Sequence, residues 1–161
     1  MAKILITGGA GFIASELAGK LASNPDNEVV IVDNLITGTR SKLPISDNGN
    51  IRFIKCDVNN YENISSVFYS HRFDYVFHYA AIVGVQRTLN NPEMVLNDIS
   101  GIKNIVNLSK NTQVKRVFYS SSSEVYGARG DVPQNEETTP LNSILPYAVV
   151  KNIGEAYLKS Y

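Results

Sequence analysis

The apolar run Lys3-Ile4-Leu5-Ile6-Thr7 passes directly into Gly8-Gly9-Ala10-Gly11-Phe12-Ile13-Ala14. The segment fits G-x-x-G-x-x-A from Gly8 and G-x-G-x-x-A from Gly9. Side chains on such loop glycines would hold a pyrophosphate away from backbone N–H groups and a helix N-terminus. Ala14 stands where a third glycine often sits, and it is small enough for close helix–strand packing. No G-K-[ST] follows, which excludes a P-loop. The motif follows a strand pattern and opens a helix pattern, the context in which it reads as a dinucleotide-binding loop.

The rest of the chain keeps that alternation. Strands are expected at Ala2–Thr7, Val29–Val32, Ile51–Cys56, Tyr75–His78 and Val114–Ser120. Helices are expected at Phe12–Ser23, Tyr61–His71, Pro92–Lys110 and from Tyr147 to the end, with a polar loop over Gly127–Ser143. Short strands alternating with helices predict an α/β fold whose parallel sheet is covered on both faces. The composition, 43% hydrophobic and 19% charged, excludes a disordered or collagen-like chain. Fifteen basic residues balance fifteen acidic ones, so no field gathers nucleic acid or an anionic membrane. The single Cys56 permits no internal disulfide and no cysteine-based zinc site, and no metal site is expected. With no signal peptide read at the N-terminus, a cytoplasmic location is expected.

Asp33 ends the second strand, 22 residues beyond Gly11, near the position of a ribose-binding acid. A carboxylate there accepts from a 2′-hydroxyl and repels a 2′-phosphate, favouring NAD over NADP. Arg40 nearby argues the other way. Tyr147 and Lys151 lie four apart on an expected helix and share a face. A neighbouring ammonium, and the positive ring of a bound oxidised nicotinamide, would favour the phenolate, which would then take a hydroxyl proton as hydride leaves the adjacent carbon. The run Ser120-Ser121-Ser122-Ser123-Glu124-Val125-Tyr126-Gly127 follows the fifth strand. Ligands bind beyond the carboxyl ends of parallel strands, which would bring a serine hydroxyl near Tyr147.

These segments, with Asp33-Asn34-Leu35, Cys56-Asp57-Val58, His78-Tyr79-Ala80-Ala81 and Pro146-Tyr147-Ala148-Val149-Val150-Lys151, occur in one order over the whole chain. In that combination the sequence resembles the extended short-chain dehydrogenase/reductase family. The similarity is to its NAD-dependent epimerase/dehydratase branch, which acts on nucleotide sugars. The resemblance implies a Rossmann-like, doubly wound parallel sheet in three α/β/α layers, with strand order 3-2-1-4-5. It implies that Gly8, Gly11 and Ala14 line the pyrophosphate of NAD, with Phe12 and Ile13 also cofactor-binding. Asp33 and Asn34 would face the adenosine ribose, Asp57 and Val58 the adenine, and Ala80 and Ala81 the nicotinamide side. Ser122 would take the place of the family's catalytic Ser/Thr. Tyr147 would be the base and Lys151 would hold the nicotinamide ribose.

Some positions depart from the family pattern. Asp98 stands where many members carry an Asn that supports the active site. Glu124 is often neutral in epimerases and often Glu in dehydratases and decarboxylases, while Ser123 stands where dehydratases commonly carry an acid. Glu124 therefore reads either as a proton-transfer group or as a loop carboxylate capping a helix. Members run to roughly twice this length. The expectation is one NAD-binding domain over 1–161, without a C-terminal substrate domain. The implied function is transient oxidation at C4 of a nucleotide sugar, a UDP-sugar foremost, as in 4-epimerases. The alternatives are a 4,6-dehydratase or decarboxylase using Glu124, and a non-catalytic dinucleotide-binding protein. The resemblance also implies a homodimer through helices 92–110 and 147–161, whose apolar stripe Val95, Ile99, Ile102 and Val106 is also suited to a core.

Overall fold

The computed structural model describes residues 1–127 and 133–161. The strands are β1 (Ala2–Thr7), β2 (Asn27–Asp33), β3 (Ile51–Lys55), β4 (Tyr75–His78) and β5 (Arg116–Tyr119). The helices are α1 (Phe12–Ala22), α2 (Tyr61–His71), α3 (Val85–Asn90), α4 (Pro92–Leu96), α5 (Asp98–Asn111) and α6 (Pro146–Lys159). All strand pairs are parallel, in the order β3-β2-β1-β4-β5, as the family pattern implied.

Strand alternation divides the core between the two sheet faces. On one face Ile4, Ile6, Val29 and Ile31 meet Ala14, Ala18 and Ala22 of α1. Those alanines recur every fourth residue and let α1 lie close to the sheet, which brings its N-terminus to the end of β1. On the other face Leu5, Val30, Val32 and Val76 meet Ile64 and Phe68 of α2 and Ile105 and Leu108 of α5. A third cluster joins Val95, Ile102, Val106 and Val150, with Tyr119 and Tyr147 packed against it. It seats α6 on α4 and α5, beside the end of β5.

Three expectations are corrected. The helix expected over Pro92–Lys110 is two helices, α4 and α5, broken at Asn97. There the Ser100 N–H bonds back only three residues, to the Asn97 carbonyl at 3.0 Å. The periodicity of Val95, Ile99, Ile102 and Val106 survives because both pieces face the same neighbours. A six-residue helix, α3, precedes them where no helix was expected. Strand β5 is shorter than Val114–Ser120, because the Val114 and Lys115 N–H groups are held by Ser109 and Asp74. Among the described residues of the expected loop, 133–143 form no helix or strand, and 128–132 lie outside the described residues. No helix among the described residues is long and apolar enough to cross a membrane.

Candidate functional site

Because all five strands run the same way, the segments following them gather at one edge of the sheet. They line a cleft of about 340 Å³, within the usual range for a small-molecule or cofactor site. Gly8, Gly11, Phe12, Ile13, Asp33, Asn34, Asp57, Val58, Ala80, Ala81, Tyr147 and Lys151 all line it.

The floor is the glycine loop. Gly8 has φ +70, and a Cβ there would stand 2.7 Å from the Ala80 nitrogen. Only glycine lets β1 pass this close to the turn after β4. Thr7 fixes the same turn: its hydroxyl oxygen accepts from Tyr79 N–H at 3.2 Å and Ala80 N–H at 3.1 Å. With both N–H groups pointing at its oxygen, Thr7 donates its own proton to His78 Nδ1 at 2.7 Å. His78 is therefore neutral, and burial pushes its pKa down to about 3. The first turn of α1 has no side-chain cap, which leaves N–H groups available to an anion. Phe12 and Ile13 stand exposed beside them, an apolar rim for a ligand to cover.

Asp33 carries more structure than its sequence position suggested. It is buried, and its two oxygens accept from Ala10 N–H at 3.0 Å and Leu35 N–H at 2.7 Å. Gly38 packs on the same carboxylate, where a Cβ would come within 2.9 Å of both oxygens. One residue thus ties the glycine loop to the turn after β2, and each oxygen keeps acceptor capacity toward the cleft. Arg40 instead stacks over Phe53, 5.0 Å from the ring centroid, and is not part of the cleft wall.

At the other end, α6 sets Tyr147 and Lys151 on its inner face. Lys151 is only 3% exposed, and its ammonium donates to the Ser120 carbonyl at 2.7 Å. It also lies 5.0 Å from the Tyr119 ring centroid and 5.6 Å from that of Tyr147. Burial lowers the Lys151 pKa to about 8, against an upward pull from Asp98. Asp98 is itself pushed up by burial, while its oxygens accept from Ile82 N–H at 2.7 Å and Asn59 Nδ2 at 3.3 Å. The carboxylate at this departure from the family pattern thus joins the loops after β3 and β4.

The phenolate expected of Tyr147 was that of a chain holding oxidised nicotinamide; in the free chain burial raises its pKa, the Glu124 carboxylate raises it further, and only the neighbouring Ser122 hydroxyl opposes them. The phenol of the free chain is neutral at pH 7, and the ammonium of Lys151 does not reverse that. Ser122 and Glu124 do not line the cleft; Ser120 and Ser121 do, with Ser122 reaching Tyr147 from beside them. Thr37, Cys56, Asn59 and Ile82 also line the cleft without having been singled out for it. Each lies within a few residues of one that was, so the positions following each strand were their only signal.

A model of the NAD dependent epimerase/dehydratase family matches residues 4–161. The chain belongs to that family. It is 34% identical over 161 residues to a putative UDP-glucose 4-epimerase of Methanocaldococcus jannaschii, covering 98% of this chain and 50% of that protein. Among solved structures it is similar to the UDP-glucose 4-epimerase of Thermotoga maritima with UDP-glucose. That match has a TM-score of 0.89 and 33% identity, over 98% of this chain and 50% of that one. The UDP-glucose 4-epimerase of Thermus thermophilus in complex with NAD matches at TM-score 0.88 and 30% identity, over 99% and 50%. The chain spans about half the length of the curated relatives it matches.

Proposed function

We propose that this chain is the cofactor-binding half of an NAD-dependent nucleotide-sugar epimerase, acting on a UDP-sugar. One observation carries the reading. A single cleft holds an uncapped helix start and glycine loop at one end, and the Tyr147–Lys151 pair at the other. The residues present fit NAD: Gly8 and Gly11 admit a pyrophosphate to the backbone, and Asp33 offers an acceptor to a ribose hydroxyl. Asn34, Asp57 and Val58 line the adenine end, and Ala80 and Ala81 the nicotinamide side. The nicotinamide, when bound, supplies the hydride acceptor. The chain's own residues handle the proton and the orientation. Tyr147 acts as the phenolate, so its own proton must first be lost; the oxygen then takes the proton of the sugar's 4-hydroxyl as C4 is oxidised, and returns it when C4 is reduced from the other face. The neighbouring Ser122 hydroxyl favours that anionic form. Lys151, oriented by the Ser120 carbonyl, presents its remaining protons toward the ribose side.

A second reading, a dehydratase or decarboxylase, is favoured by Glu124, whose carboxylate lies close enough to Tyr147 to act on its titration. A third, dinucleotide binding without turnover, is favoured by the burial that raises the Tyr147 pKa. Incubation with NAD and UDP-, GDP- and dTDP-sugars, with products read by NMR, separates the three. A C4 epimer lost in Tyr147→Phe supports the first, a 4-keto or decarboxylated product the second, and NAD binding without product the third.

A homodimer belongs to the same proposal, on one of the two helices expected. Val95, Ile102 and Val106 are buried against Val150 of the same chain, so they present no free face. The outward stripe of α6 is Val149, Ile153 and Ala156, spaced four and three apart and not buried. If this stripe forms the dimer, Ile153→Glu yields a monomer in sedimentation velocity; an unchanged dimer removes the assignment.

A further inference from the structure

Tyr147, Lys151 and Gly154 lie four and three apart on α6 and share the face that meets the end of β5. The side chain they meet there is Tyr119. The Lys151 ammonium stands over its ring, 5.0 Å from the centroid and within cation–π reach. Gly154 packs on the hydroxyl end of the same ring, where a Cβ would overlap Cζ and the phenol oxygen. The ring also stacks on His78, with centroids 5.8 Å apart and planes 23° apart. Parallel register sets Thr7, His78 and Tyr119 in one row across β1, β4 and β5. The hydrogen bond between Thr7 and His78, at 2.7 Å, fixes the middle of that row. Tyr119 is thus held from the sheet and from the helix at once. Its hydroxyl is buried and has no hydrogen-bond partner among the described residues, so the contacts it makes are those of the ring.

We infer that Tyr119 is a positioning residue for Lys151: its ring face, fixed between His78 and Gly154, holds the ammonium at the cleft and keeps it charged there. The inference deepens the functional reading above, which gives Lys151 the ribose side, but the contacts belong to the free chain. Burial alone favours the neutral amine. A ring face attracts the ammonium through its quadrupole and takes none of its protons. The Ser120 carbonyl takes one proton at 2.7 Å, and the Ser120 hydroxyl lies further off at 3.4 Å. A carboxylate in the place of the ring would also offset burial, but it would compete for the protons that remain.

The other groups facing the ammonium are the Tyr147 ring on its own helix, with its centroid at 5.6 Å, neutral His78 of β4 and Asp98 of α5. Tyr147 and Asp98 favour the charged amine as Tyr119 does, so both stay intact while position 119 is varied. A ring that only filled the space between sheet and helix would act through its shape, and a change in its electrons at constant shape would leave Lys151 as it was.

The test is an NMR pH titration of the chain labelled with ¹³C at lysine Cε, the Lys151 signal being the one absent in Lys151→Met. Tyr119→Phe, which keeps the ring, should leave the Lys151 pKa in place. Tyr119→Leu should lower it by about half a pH unit or more. Phenylalanines carrying one, two and three ring fluorines in place of Tyr119 keep the shape and withdraw charge from the ring face, so they should lower it stepwise. A Lys151 pKa that is the same in Tyr119→Leu as in the parent overturns the inference. So does a fall in Tyr119→Phe as large as in Tyr119→Leu, or a pKa that does not follow the fluorines. Should Tyr119→Leu unfold by circular dichroism, the fluorinated series decides by itself. NAD calorimetry on the parent chain is the separate arm: absence of binding overturns the functional reading while the titration still decides this one.

Discussion

Lys151 is a buried cation whose solvation comes from a carbonyl, a hydroxyl and two aromatic faces. Its pKa falls from 10.5 unfolded to about 8 folded, so between those values the unfolded chain binds more protons. Stability therefore rises with pH from about 8 upward, by about 2 kcal/mol to pH 10. Beyond pH 10 the raised phenols of Tyr119 and Tyr147 act with the opposite sign. Thermal melts from pH 7 to 10 should show the rise in the parent and a flat profile in Lys151→Met; equal slopes would contradict the assignment. Asp33 also has a double role that its position in the sequence could not disclose. Asp33→Asn should weaken NAD about tenfold and narrow the preference over NADP, since the charge and one clamp on the glycine loop are lost together. Calorimetry with both cofactors is the check, and an unaltered NAD/NADP ratio would sink the specificity argument. Gly8, Asp33, Tyr147 and Lys151 were legible as cleft residues because each carries a chemical requirement at a set spacing. Thr37 and Ile82 were not, because they contribute only walls. The state of the Tyr147 phenol in the free chain was not legible for a related reason: burial, a property of packing, raises its pKa.

Among the elements, α6 depends most on one small residue. Gly154 lies over the Tyr119 ring, and an added Cβ would overlap the ring's atoms. In an open helix Gly→Ala gains about 1 kcal/mol. Here the gain is outweighed, because overpacking a filled contact costs about 1–3 kcal/mol and Tyr119 is fixed between α6 and the sheet. Gly154→Ala should therefore be net destabilising in chemical denaturation, and a stabilised variant would show that Tyr119 moves aside freely. The break at Asn97 teaches a related lesson. A continuous apolar period was readable from Val95 to Val106, but the turn that divides it is made by a three-residue hydrogen bond and by Asp98 reaching Ile82 N–H. Neither alters the periodicity.

For the molecule as a whole, the sheet's two edges differ. Strand β3 carries exposed Arg52 and Lys55 on its edge, the usual defence against further pairing. Strand β5 carries Arg116 and Phe118, and Phe118 is 37% exposed while stacked on Phe77 at 4.4 Å. The 161-residue chain should associate through β5 beyond any dimer formed by α6. Phe118→Lys should reduce the sedimenting mass at high concentration; no change would locate the association elsewhere. What the sequence by itself determined is the five strands, most of the helices and their chemistry. Strand and helix periods, the glycines that need special backbone geometry, and residues at characteristic spacings are local properties, written in neighbouring positions. The tertiary structure alone decided how these meet: the apolar stripe of α4 and α5 turned inward onto Val150, the double clamp of Asp33, and the hydrogen bond from the Ser121 hydroxyl to Glu155. Such contacts join positions tens of residues apart, and they depend on distances and burial that exist only once the sheet has brought the strand ends together.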